Sequence, residues 1–420
     1  MMRIIDFSKK NGKKNLLDFL EKRRSGFSAD TSVVDKIIKD IKKNKNKAVI
    51  KYEKKFSKNN KIKPSKKEIY NAIKSLDRKV IKAIDLAFNR IEKFHKLQKV
   101  TNIKFIDSYN NKIEYRHLPL KSVGIYIPAN LPSSLLMNAI PAKIAGVKRI
   151  VLANPRTNGK LNSAIMYVAK KCGIKEIINV GGAQAIASLA YIQKVDKIVG
   201  PGNDFVAKAK QKVFGQVGTE GMIAGPSEVT IIADSKSDVK QISTSMAAQS
   251  EHGINSQSIL ISKNKNILIK CDLFLRNILE KFLNKKTISE SINKNGLLLY
   301  AKSDSQIIQA VNLISPEHLE ILTTNTNKFK NKIYNAGSIG IGAFSPVAAS
   351  DYTVGTNHTL GTLGSSKFAS GLNLNDFYKK ISQFTLSKKG IEVIGKEAIT
   401  LAEYENLQAH ALSIKSRIQG

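Results

Sequence analysis

The stretch KEIINVGGAQAIASLAYIQKVDKIVGPGNDFVAKAKQKV, residues 175–213, decides the fold. It reads as a short apolar strand, a glycine pair and a helix (AQAIASLAYIQ). A second short strand (DKIV), a glycine–proline turn and a second helix (NDFVAKAKQKV) follow. Short strands joined by helices of about 10 to 15 residues predict parallel βαβ units. The rhythm extends upstream through SVGIYIP (122–128), RIVLANP (149–155) and the helical LNSAIMYVAKKCG (161–173). Downstream, EVTIIAD (228–234), QSILIS (257–262) and LLLYA (297–301) are further strands with helical stretches between them.

Residues 1–100 read as mostly helical and lysine-rich. VVDKIIKDIKKNKNKAVIKYEKKF (33–56) and AIDLAFNRIEKFHKLQ (83–98) both space apolar residues at helical intervals. The tail from about 373 reads as helical again. The fold expected is α/β: two Rossmann-like parallel-sheet domains with helical extensions at both ends. The boundaries expected are an N-terminal helical extension over 1–22, a discontinuous first α/β domain over 23–124 and 228–372, a second α/β domain over 125–227, and a helical tail over 373–420. No G-x-G-x-x-G follows a strand. GSIGIG (337–342) has the wrong spacing and no helix behind it, so a dinucleotide would not be held by the usual fingerprint.

At 420 residues, with 42% apolar and 24% charged content, the chain can bury a substantial core. No apolar run approaches the roughly 18 residues of a membrane helix. The start, MMRIIDFSKKNGKKN, has no apolar leader segment. The two cysteines, Cys172 and Cys271, form no C-x-x-C pair. Together these point to the reducing cytoplasm and away from a thiolate metal site. The 69 basic residues against 33 acidic ones give a net charge of +36. The excess is mostly lysine, scattered without arginine clusters or a stacking aromatic motif, so neither a specific nucleic-acid site nor a membrane surface is expected. A positive surface could still attract an anionic cofactor.

Four of the six histidines lie in short segments rich in acids and amides: AAQSEHG (247–253), SPEHLEI (315–321), ASDYTVGTNHTLGT (349–362) and EYENLQAH (403–410). If the segment before His252 is helical, Gln249 and His252 share a face. Taken alone, that pair reads as well as a cap or a core pair, and Glu317 with His318 is a common neighbour pair. Gln249, His252, Asp351 and His410 taken together make an amide, a carboxylate and two imidazoles. That is a nitrogen–oxygen set suited to zinc or a similar divalent ion. Glu317 and His318 are then left free for acid–base work. Asn203 follows a G-P-G turn at a helix start, where backbone N–H groups can meet a phosphate.

In order along the chain stand GIYIP, NVGGAQAIASLAY, GPGN, AGPSEV, AAQSEHG, SPEHLEI, AGSIGIGAFSPVAASDYTVGTNHTLGT and ENLQAH. With these motifs the sequence resembles the histidinol dehydrogenase family from about residue 30 to the C-terminus. The resemblance implies zinc held by Gln249, His252, Asp351 and His410. It implies L-histidinol held by those four together with Ser227, His318 and Glu405, and NAD met by Tyr126, Gln184 and Asn203. Glu317 would activate a water, and His318 would take and return protons. The enzyme implied is a homodimer in which the tail of one chain completes the site of the other. Ala129 and Asn130 stand where the family shows two glycines, and Ile192 stands where it shows one after L-A-Y. A dehydrogenase of another polyol or of a sulfonated diol on the same scaffold is the alternative.

Overall fold

The computed structural model describes residues 2–25, 31–98, 100–128, 130–221 and 225–418. Ala129 lies outside them.

The chain opens with strand β1 (Arg3–Asp6) and helix α1 (Gly12–Ser25). Helices α2 (Thr31–Ser57), α3 (Lys66–Lys74) and α4 (Arg78–Lys96) follow. A hairpin of β2 (Ile103–Ile106) and β3 (Lys112–Pro119) leads into the first parallel unit. That unit runs β4 (Ser122–Tyr126), α5 (Pro132–Ile144), β5 (Arg149–Ala153), α6 (Ser163–Lys171) and β6 (Glu176–Ile178). It continues through α7 (Gly182–Tyr191), β7 (Lys197–Val199), α8 (Asp204–Val213) and the short β8 (Gly218–Thr219). Its five strands lie in the order β6-β5-β4-β7-β8 and pair parallel throughout.

The second unit runs β9 (Glu228–Ala233), α9 (Val239–Ser250), β10 (Gln257–Ser262), α10 (Lys265–Ile278) and α11 (Lys285–Asn295). Then come β11 (Leu297–Tyr300), α12 (Asp304–Ile314), β12 (His318–Ile321), α13 (Asn327–Lys330), β13 (Ser338–Ile341) and α14 (Val347–Ser350). The six-stranded sheet has the order β1-β11-β10-β9-β12-β13. β14 (Tyr378–Thr385) then pairs antiparallel with β3, and the chain ends in α15 (Lys388–Tyr404) and α16 (Gln408–Ile418).

Strands covered on both faces need apolar side chains on both, which is why these segments read as near-continuous runs. In β4 and β5, Val123, Ile125 and Leu152 face one core while Tyr126, Val151 and Ala153 face the other. The six-stranded sheet likewise separates two cores, one holding Ile259 and Ile261 and the other Leu260 and Val229.

The two α/β units match expectation, but three boundaries do not. Residues 1–22 are not a helical extension: the four-residue β1 extends the six-stranded sheet by pairing with β11, from Arg3 opposite Leu297 to Asp6 opposite Tyr300. The helical segment within 23–124 does not belong with residues 228–372. Val34, Ile37, Ile41 and Val49 of α2 pack with the residues of α7 and α8, and Ile84, Phe88 and Ile91 of α4 pack with α5 and α6, so both faces of the five-stranded sheet are covered by this N-terminal region. The tail beyond 373 is not helical throughout. Leu374 and Phe377 plug the five-stranded unit's core, and β14 extends the β2–β3 hairpin before any helix begins.

Candidate active site

The two units enclose a cavity of about 510 Å³. From the five-stranded side, residues just beyond the strands line it: Pro128 after β4, Ser134 in the first turn of α5, and Gly202 and Asn203 after β7. From the six-stranded side, residues just ahead of the strands or at their first position line it. These are Ser227 before β9, Gln249 and His252 at the end of α9, and Glu317 and His318 at the start of β12. Asp351 and His358 close the wall.

Helix α9 positions Gln249 and His252. Asp238 caps its start, accepting from the Lys240 and Gln241 amides, and the helix stops at Ser250. His252 therefore lies in the turn past the helix, its N–H donating to the Gln249 carbonyl at 3.4 Å. Its Nδ1 is 3.4 Å from the Ser227 hydroxyl. Burial lowers its basicity.

Strand β12 aligns with β9 so that His318 stands opposite Val229, which brings Glu317 beside Glu228. Glu317 Oε2 accepts from the Glu228 N–H at 2.8 Å. Its other oxygen, Oε1, is 4.0 Å from His318 Nε2, which is also 3.8 Å from Asp351 Oδ1. Burial raises Glu317 well above the usual carboxylate range. Burial, with His358 and His252 nearby, pushes His318 down to about 3, so its imidazole is neutral. The His318 Nδ1 is buried and has no partner among the described residues. Burial alone pushes Asp351 up to about 7. The imidazoles nearest to it, His318 and His358, each 3.8 Å from Oδ1, are neutral, so the enclosed carboxyl either takes a proton or keeps its charge beside a cation.

His358 was left without a role by the sequence. It is held from both sides, Nδ1 by the Asp351 carbonyl at 2.8 Å and Nε2 by the Ser134 hydroxyl at 3.0 Å. Burial pushes it down to about 4. It ties the six-stranded unit to α5 across the cleft. Its sequence signal was its nearness to Asp351, seven residues away.

Not every expected site residue reaches the cavity. Tyr126 ends β4, and its Oη accepts from the Gly182 N–H at 3.3 Å. Gln184 donates from Nε2 to Glu53 Oε1 at 2.8 Å. Both are buried and turned inward, on the cleft end of the five-stranded sheet. Asn203 borders the cavity, but its Oδ1 caps α8 by accepting from Val206 N–H at 3.2 Å. The turn before it needs glycine. Gly200 has φ +114°, and a Cβ there would lie 2.0 Å from the Tyr126 carbonyl. Asp204, in the first turn of α8, adds a negative charge and weakens the expectation that this helix start holds a phosphate. Glu405 and His410 are exposed on the tail and do not line this chain's cavity.

Gln249, His252 and Asp351 could therefore hold a metal from one chain. Among the described residues no group of three His, Cys, Asp or Glu is clustered as a complete metal site. A larger concavity of about 640 Å³ lies at the amino edge of the five-stranded sheet, between Lys42, Tyr191, Lys194 and Phe214. Its one acid, Asp196, is bonded to the Ser122 N–H and hydroxyl at 2.8 and 2.9 Å, so it offers no acid–base pair.

Two parallel-sheet units, closing on a cleft that holds a buried acid, a neutral imidazole and a second enclosed carboxyl, define an α/β protein equipped for proton transfer. The histidinol dehydrogenase profile matches residues 20–418. Histidinol dehydrogenase of Pelagibacter ubique is 51% identical over 426 aligned positions, covering 100% of both chains. That of Clostridium acetobutylicum is 39% identical over 100% of this chain and 99% of its own. The crystal structure of histidinol dehydrogenase from Elizabethkingia anophelis superposes with a TM-score of 0.91 at 36% identity, covering 100% of this chain and 98% of that one. The chain belongs to the histidinol dehydrogenase family.

Proposed function

We propose that this chain oxidises L-histidinol to L-histidine through L-histidinal, the closing reaction of histidine biosynthesis, with two NAD and one zinc ion per subunit. Family membership supports the reaction. The convergence of Gln249, His252, Glu317, His318 and Asp351 on one cleft carries the residue-level reading.

Gln249, His252 and Asp351 hold the zinc, with His410 of the partner subunit as fourth ligand. An amide oxygen, a carboxylate and two imidazoles suit that ion. The unneutralised burial of Asp351 supports a cation there. When bound, the metal anchors the substrate and polarises its oxygen. Ser227 and Glu405 of the partner subunit help to hold the substrate, and Tyr126, Gln184 and Asn203 shape the cofactor side. NAD, when bound, would supply the hydride acceptor for each oxidation. His318 takes the hydroxyl proton as the first hydride leaves carbon. Glu317 then takes a proton from water as the water oxygen bonds to the aldehyde carbon, and His318 returns its proton to the former carbonyl oxygen, which leaves a diol and a neutral imidazole. His318 takes a proton from the resulting diol as the second hydride leaves. Holding both oxidations in one closed site keeps the aldehyde from side reactions.

A homodimer is supported by two observations. Glu405 and His410 lie away from their own cleft. The β2–β3–β14 sheet and the tail also expose Phe105, Ile113, Phe384, Tyr404 and Leu412, an apolar surface of the kind that marks an interface. Both cysteines are free and buried, which fits a reducing cytoplasm. Among the described residues no helix is long and apolar enough to cross a membrane.

The test is NADH formation from L-histidinol by the zinc-loaded protein. Two NADH per histidine are expected, lost on chelation and restored by zinc. Full turnover in a verified metal-free sample, or turnover of another alcohol without histidinol, would contradict the proposal.

A further inference from the structure

We infer that Arg23 and Glu228 form a buried positioning pair that holds Glu317 for its work on water. The inference rests on the assignment of Glu317 to the hydration step.

Glu228 follows Ser227 in the AGPSEV motif, which the reaction as described leaves without a use beyond Ser227. The residue opens β9, beside Glu317 at the head of β12. The two acids grip each other's backbone. Glu317 Oε2 accepts from the Glu228 N–H at 2.8 Å, and Glu228 Oε2 accepts from the Glu317 N–H at 3.3 Å. Two carboxylates this close need a countercharge. It comes from Arg23, in the last turn of α1, whose Nη1 donates to Glu228 Oε1. Both side chains are almost fully enclosed, at 8% and 4% exposure. Enclosure matters because an unpaired charge could not persist there.

Arg23 does more than neutralise. Its Nη2 donates to the Pro226 carbonyl at 3.0 Å and to the Asn255 carbonyl at 3.3 Å. It thereby fixes the segment carrying Ser227 and the amide that grips Glu317. Glu228 Oε1 also accepts from the Leu363 N–H at 2.8 Å, and Arg24 donates to the Leu363 carbonyl at 3.1 Å. Leu363 has φ 55°, an uncommon conformation for a branched side chain, so the loop needs these fixings. Every oxygen of Glu228 is occupied. Of Glu317, Oε2 is anchored and Oε1 faces His318 at 4.0 Å. One acid is committed to structure and the other has one oxygen left for chemistry.

The experiment compares two half-reactions of the purified holoenzyme: oxidation of L-histidinal by NAD, which needs water, and its reduction by NADH, which does not. Glu317→Gln is the reference. Glu228→Gln keeps the shape but removes the charge that holds Arg23, and Arg23→Lys keeps a charge but loses the fork. Both are expected to lower histidinal oxidation, Glu228→Gln by roughly 10²-fold as for a misplacement of about 1 Å, while reduction stays within about threefold of the parent. Glu228→Asp should recover part of the oxidation. Equal loss of both half-reactions, or no loss, in folded variants overturns the pair as a positioning device. Should Glu228→Gln not fold, Arg23→Lys carries the same readout. If Glu317→Gln itself does not separate the half-reactions, the reading of Glu317 fails and the inference with it. If Glu317→Gln separates them and the pair variants do not, the inference alone fails.

Discussion

In the five-stranded sheet the cleft lies at the carboxyl ends of the strands, where Pro128 follows β4 and Asn203 follows β7. In the six-stranded sheet it lies at the amino ends, where Ser227 precedes β9 and His318 opens β12. Open parallel sheets ordinarily bind ligands at carboxyl ends, so one half follows the rule and the other reverses it. The reversal changes which helix ends point inward. Around the five-stranded edge, α5 and α7 begin without an acid in their first turns, and their amino ends favour an anion. Around the six-stranded edge, α9 ends at Gln249 and Ser250, and its carbonyl end favours a cation. Two similar units thus supply opposite helix-end electrostatics to one cleft.

The comparison can be broken by substitution at each edge. On the six-stranded edge, His318→Asn should lower kcat for histidinol oxidation by about 10²- to 10⁴-fold, the usual worth of a positioned base, with little change in the KM for NAD. A large rise in that KM, with kcat kept, would mean that this edge serves the cofactor. On the five-stranded edge, Gln184→Ala removes the 2.8 Å bond to Glu53. It should raise the KM for NAD up to about tenfold, the scale of one hydrogen bond, and leave kcat nearly unchanged. A kcat loss as large as that of His318→Asn would erase the division between the edges.

Much of this division was legible in the sequence. The alternation over 122–213 gave the five-stranded unit because helical and strand periods are locally distinct. The Q-S-E-H, P-E-H and A-S-D segments were legible because their residue types are chemically uncommon together. What was hidden depended on tertiary contact. β1 is only four residues long, too short to show a period. β14 is exposed over nearly its whole length, so it lacks the half-buried alternation that marks a strand. Helices α2 and α4 show which face is apolar but not which sheet that face will cover. Arg23 and Glu228 are 205 residues apart, and no local pattern joins them. His358 was seen, but its bond to Ser134 requires the folded cleft.

The tail carrying Glu405 and His410 does not line the cleft of its own chain. The central claim is that the partner's tail completes the cleft. The direct measurement mixes Glu317→Gln and His410→Ala chains, each inactive alone, unfolds them together and refolds them. With sharing between subunits, a hybrid dimer gathers both defects in one site and neither in the other. Activity should then return to about half per hybrid dimer. Proven hybrid dimers with no recovered activity would show that each chain completes its own site and would contradict the account.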